Sequence, residues 1–159
     1  MGRSLSVARI PHPYASLRDG LICYLKLDGD VLDAGPSGNN ARWAEAPIQY
    51  TTGKIGSGAN FVGNNSISFE PQVGNPTVFG YPANREMSFA CWYKPINLTA
   101  YYTIAAHYFG YPSPGEYMFR TEPGGILALL VGSSVLAATA PSPSSFHHVG
   151  FTKTASGAN

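Results

Sequence analysis

Charge is scarce in this sequence. Asp, Glu, Lys and Arg make up 12% of its 159 positions, about half the usual share for a globular chain. The net charge is +1, which supplies no electrostatic footprint for a nucleic-acid groove or a polybasic membrane patch. Long apolar runs are missing too. No stretch approaches the roughly 18 apolar residues that span a bilayer, so membrane insertion is not expected. The N-terminal stretch Met1-Gly-Arg-Ser-Leu-Ser-Val-Ala-Arg-Ile-Pro-His-Pro-Tyr14 has no continuous apolar core of a secretory signal. The expectation is a chain made in the cytoplasm, or one cut from a longer precursor. No segment keeps a helical period for three turns, which excludes a helical bundle. Cysteine is limited to Cys23 and Cys91, each inside an apolar run and without metal-binding spacing. Two buried free thiols is the simpler reading, and a single inter-strand disulfide is the alternative.

Turn formers and aromatics are plentiful: 18 glycines, 13 prolines and 13% aromatic residues. That combination suits a turn-rich, all-β domain built of paired sheets. Residues 1–19, with Arg3, Arg9, Arg18, Pro11 and Pro13, read as an extended basic arm. It is either a loose terminus or a tether docking on a neighbouring subunit. From residue 20 a single β-sandwich is expected.

Leu21-Ile-Cys-Tyr-Leu-Lys-Leu27 alternates, with Leu21, Cys23, Leu25 and Leu27 on one face, and reads as the first strand. The loop Asp28-Gly-Asp-Val-Leu-Asp33-Ala-Gly-Pro-Ser-Gly-Asn-Asn40 is dense in turn formers. Short strands are expected at Ala41-Arg-Trp43 and Ile48-Gln-Tyr50. In the glycine-rich stretch from Gly53, the pieces Ala59 to Val62 and Ile67 to Phe69 read as a hairpin about Gly63-Asn-Asn65. Further strands are expected at Met87 to Lys94, Tyr101 to Tyr108, Tyr117 to Thr121, Gly125 to Val131, Ser134 to Thr139 and Phe146 to Lys153. Gly124-Gly125 and Gly132-Ser133-Ser134 mark the turns between three of them.

Four motifs then resemble the concanavalin A-like lectin/glucanase superfamily, and within it the laminin-G-like jelly rolls. They are Leu27-Asp28 with the Asp33-Ala-Gly-Pro-Ser-Gly-Asn39 loop, the Gly53 to Gly63 run, Trp92-Tyr-Lys-Pro95, and Phe146-His-His-Val149. Gly58 and Ala59 depart from the family's Ala and larger apolar residue, and Phe146 stands for its Trp. The resemblance covers residues 20–153 and implies an antiparallel jelly-roll β-sandwich. The family pattern continues into further closing strands, which are absent here. The resemblance thus implies either a fragment or a sheet completed by another chain.

Candidate chemistry follows from residue types. Asp28, Asp30 and Asp33 lie close together in sequence, and calcium takes carboxylate and carbonyl oxygens. Yet Leu32 and Asn39 stand where an EF-hand needs ligands. The competing reading is a turn held by Asx hydrogen bonds. Glu45, Glu70, Glu86, Glu116 and Glu122 each lack an acid two residues on, so the paired carboxylates of a glycosidase strand are missing. His147 and His148 face opposite sides of a strand and cannot share a metal. Aromatics offer more: Tyr101, Tyr102, Tyr108, Phe109 and Tyr111 crowd one strand and its following loop. Among them Tyr102, Tyr108, Phe109 and Tyr111 are candidate ligand contacts, since rings stack on sugars and anchor interfaces.

The expected function is a non-enzymatic binding and display module. A signal-less, low-charge jelly roll behind a basic arm is similar to bacteriophage virion proteins such as capsid decorations or tail-fibre domains. The resemblance implies release by lysis, a place on the virion or outside the cell, docking of Arg3, Arg9 and Arg18 on other virion subunits or on copies of this chain, and contact with cell-surface glycan. The alternative is a purely structural cement protein whose sheet is completed by neighbours; a polysaccharide hydrolase is a more distant one. No cofactor is required, calcium being the one candidate.

Overall fold

The computed structural model describes residues 20–44, 46–63, 65–69, 86–107, 117–154 and 157–158. Among these residues there is no helix, and all strand pairs are antiparallel. The arm with Arg3, Arg9 and Arg18 lies outside the described residues. The chain divides into two compact units, Met1–Glu70 and Pro71–Asn159.

The first unit holds four short strands: β1 (Arg42–Ala44), β2 (Gln49–Thr52), β3 (Ser57–Asn60) and β4 (Ser66–Ser68). The expected strand at 21–27 keeps its alternation, with Leu21, Cys23, Leu25 and Leu27 half-buried between exposed Ile22, Tyr24 and Lys26. It has no ladder, however, only an isolated bridge from Leu25 to Asp33. The reason is that loop groups already take its backbone. Ser37 Oγ donates to Leu21 O and Asn39 Nδ2 to Ile22 O, while Tyr24 N–H donates to Asp33 Oδ1 and Tyr24 O accepts from Ala34 N–H. Leu27 then turns left-handed (φ 57°), a conformation unfavourable for an L-residue, and ends the extension.

The expected hairpin is corrected as well. β3 pairs with β2, and β4 pairs with β1. The β2–β3 turn is closed by Gly53 N–H donating to Gly56 O at 2.9 Å. Gly56 is left-handed (φ 63°), as a short hairpin turn of this kind requires. Gly53 is packed so closely on Ser57 O that a Cβ there has no room. Gly63 does turn the chain, but β4 leaves for a different partner.

The second unit holds β5 (Met87–Tyr93), β6 (Tyr102–His107), β7 (Tyr117–Glu122), β8 (Ile126–Val131), β9 (Ser134–Thr139), β10 (His147–Thr154) and β11 (Gly157–Ala158). The expected strands are found here to within a residue or two. They form a three-stranded sheet, β11-β10-β5, and a four-stranded sheet, β6-β7-β8-β9. Period-two alternation sends one face of each inward. Buried Phe119 and Leu129 from the larger sheet meet Val149 and Phe151 from the smaller, with Phe89, Cys91, Tyr117, Leu127 and Val131 packed against them. Phe119 stands edge-on to Phe151 at 5.4 Å between centroids and to Phe89 at 6.0 Å. Fully burying such a side chain contributes about 1.5–3 kcal/mol. This is sheet-on-sheet packing, a two-layer all-β core.

Gly150 sits opposite Ala90, where a Cβ would strike Phe89 O. Thr121 is fully buried and shares a long hydrogen bond, 3.5 Å, with Tyr93 Oη. Both cysteines are free thiols. Burial, then the Asp33 carboxylate, pushes Cys23 up to about 12, and burial pushes Cys91 up to about 11. Neither is a thiolate at neutral pH, so neither is a ready nucleophile.

Candidate functional site

The aromatic cluster expected around β6 is partly described. Tyr102 opens β6, and its hydroxyl donates to Asn97 Oδ1 at 2.7 Å. The same oxygen accepts Thr99 N–H at 3.1 Å and Thr99 Oγ at 2.8 Å. One side-chain amide thus ties the loop before β6 to the strand itself, which orders the backbone on which Tyr101 stands. Tyr101 is 62% exposed. The Arg120 guanidinium of β7 lies 4.7 Å from its ring centroid, within cation–π range.

Arg120 is itself anchored. Its Nε and Nη2 donate to Glu122 Oε1 at 2.9 and 2.7 Å, and Nη1 lies 3.3 Å from Met118 Sδ. Alternation explains the set: with Phe119 and Thr121 buried, Met118, Arg120 and Glu122 share the outer face of β7. The product is an exposed aromatic ring backed by a fixed cation, with a carboxylate on the same strand. Such a platform can stack on an apolar face and offer polar groups at its rim.

The structure therefore sets Tyr101 against Arg120, which pairs with Glu122, while Tyr102, opposite Thr121 and so on the other face of the sheet, is tied to Asn97. Tyr108, Phe109 and Tyr111 lie outside the described residues. Arg120 is not singled out in the sequence and Glu122 is weighed there only as a lone acid, although Arg-x-Glu at a strand places both on one face. That was the available signal.

The acidic trio is not assembled as a metal site. Among the described residues no group of three or more His, Cys, Asp or Glu stands so as to hold a metal ion. Instead each carboxylate accepts backbone N–H groups. Asp33 Oδ1 takes Tyr24 N–H at 2.8 Å and Gly35 N–H at 2.7 Å, and Oδ2 takes Asn39 N–H at 2.7 Å. Desolvation pushes the Asp33 carboxyl up, but these three N–H groups outweigh it and hold it below the ordinary value. A Cβ at Gly35 would come within 2.8 Å of Asp33 Oδ1. Asp30 Oδ1 accepts Leu32 N–H at 3.1 Å, an Asx turn. Asp28 Oδ1 takes Ser57 N–H at 2.7 Å, which lowers its pKa. The three carboxylates thus accept backbone N–H groups and organise their own loop. Asp28 and Ser57 also join two sequence motifs, Leu27-Asp28 and the Gly53 to Gly63 run.

The histidine pair divides as alternation requires. His147 Nε2 lies 3.1 Å from Ser142 O and 3.2 Å from Ser142 Oγ, whereas exposed His148 lies beside Trp92, 5.2 Å between ring centroids. No helix among the described residues is long and apolar enough to cross a membrane. No family model, curated protein or solved structure matches the chain.

Proposed function

We propose that this chain is a non-enzymatic binding and display module that recognises saccharides through Tyr101 and the residues securing it. The observation that carries the reading is Tyr101: a ring 62% exposed yet held against the Arg120 guanidinium. Sugar rings present an apolar C–H face that stacks on such a ring, while Arg120 and Glu122 supply donors and acceptors for hydroxyls. Glu122, Asp28 and Asp33 already have structural partners, which favours binding over acid–base hydrolysis. The four sequence motifs support a laminin-G-like jelly-roll ancestry. The low charge and the arm with Arg3, Arg9 and Arg18 support a place on a bacteriophage virion, as a decoration or tail-fibre domain facing cell-surface glycan. Purely structural cement is the second reading, favoured by the uncharged outer strand β9.

The test is titration of the full chain with bacterial surface polysaccharides and their oligosaccharides. Wild type should bind at least one, and Tyr101→Ala should weaken it about tenfold or more with unchanged thermal unfolding. Absence of any saccharide binding, or equal binding by Tyr101→Ala, overturns the platform. Release of new reducing ends overturns the non-enzymatic reading.

A further inference from the structure

The two edges of the four-stranded sheet are not alike. β6, at one edge, carries a bulge between Thr103 and Ala105, and its first residue is tied to Asn97. Bulges and pinned ends are common ways of keeping an edge from pairing with another chain. β9, at the other edge, has none of these guards. Its sequence Ser134-Val-Leu-Ala-Ala-Thr139 contains no charge and no proline, and its register against β8 runs unbroken from Ser134 to Thr139. All six residues are exposed, including Val135 at 55% and Leu136 at 41%.

The backbone of β9 can be oriented. Ala140 N–H donates to Gly125 O at 2.8 Å, pointing toward the β8 side. Alternation along an antiparallel strand then turns the N–H and C=O groups of Ser134, Leu136 and Ala138 the same way. Those of Val135, Ala137 and Thr139 point outward, with no partner strand among the described residues. Their side chains and that of Leu136 fall on opposite faces, so an added strand would cover apolar surface on both.

We propose that β9 is a self-association edge, pairing antiparallel with β9 of a second copy to form one continuous eight-stranded sheet. A copy of this chain is the occupant that the chemistry selects. From Gly132 to Phe146 there is no charged residue, so two such edges meet without like-charge repulsion and without needing an opposite charge. The net charge of +1 adds little long-range repulsion between copies. Antiparallel pairing of identical strands about a two-fold axis keeps inner faces with inner faces. It places Leu136 opposite Leu136, or Ala137 opposite Ala137, and it closes at two copies. The inference is independent of saccharide binding.

The test is sedimentation equilibrium of the full chain from about 1 to about 500 µM. The 16.9 kDa chain should approach twice that mass, and Ala137→Lys should weaken association about tenfold or more with its circular dichroism retained. Mixing Ala137→Lys with Ala137→Glu should restore the pair. A second readout needs no variant: the Val135, Ala137 and Thr139 amides should exchange with deuterium more slowly at the high concentration than at the low. A single-chain mass throughout, association indifferent to Ala137→Lys, or exchange at these amides independent of concentration each overturns the proposal. A larger open assembly overturns the two-fold form.

Discussion

Among the described residues, much of the backbone between 20 and 69 is held by side chains, whereas that between 86 and 158 is held by neighbouring strands over an apolar core. The first region uses Asp28, Asp33, Ser37 and Asn39 as surrogate strand partners. The second uses seven consecutive register pairs between β5 and β10 and six between β7 and β8. The two solutions respond to different insults. A carboxylate acting as acceptor fails when it is protonated or shortened. A packed aromatic core fails when volume is removed, and it is indifferent to acid.

The largest expected effect breaks the second region. Phe119 is 2% exposed and touches both Phe89 and Phe151, so Phe119→Ala should lose about 3–5 kcal/mol in urea unfolding. A loss below about 1 kcal/mol would mean that the two sheets are not packed through this ring. The next breaks the first region. Asp33→Ala removes three backbone acceptor contacts at a partly hydrated site, and about 2 kcal/mol is expected. Faster amide exchange should appear first at Tyr24, Gly35 and Asn39. If those amides keep their protection, the carboxylate is not what orders the loop.

The smallest effect sharpens the contrast by pH. The folded pKa values of Asp28 and Asp33 lie below the ordinary value of 3.8. Their contribution is therefore complete above that value and is lost as pH falls through the lower folded ones. Burial raises Tyr93 and Tyr117, so their contribution is complete below the ordinary tyrosine value of 10.0 and is lost in alkali. Acid titration followed by amide exchange should release Ser57, Tyr24 and Asn39 before Phe119 and Val149. Simultaneous release would show that the two regions share one acid response.

The same contrast explains what could be read from the sequence. In β5, β7 and β10, six to eight alternating residues write their own inward face, and glycine turns at Gly124-Gly125 and Gly132 separate β7, β8 and β9, so element type and extent were legible. In the first unit, strands of three or four residues carry only one or two same-face positions, too few to choose a partner. Hence β3 was expected to fold back on β4, although each pairs elsewhere. The 21–27 segment shows a subtler limit: alternation reports which side chains are covered and says nothing of what takes the backbone. The acidic trio was ambiguous for a related reason, since Asp serves metals and N–H groups with the same oxygens, and only their placement decides. Of the platform, Tyr101 and Tyr102 were visible as an aromatic cluster. Arg120 was not, because its approach to Tyr101 depends on β6 and β7 lying side by side.

The order β6-β7-β8-β9 has a consequence for reach. Tyr101 stands at the start of β6, and β9 is the far edge, three strands away. In a sheet continued from one copy to the next through β9, the two β6 strands are seven strand spacings apart, roughly 34 Å. Their outer faces look the same way. A polymer with repeats at about that interval could engage both rings at once, the second contact being made at a high effective concentration. Weak individual contacts would then favour long, repetitive polymers over the short oligosaccharides cut from them.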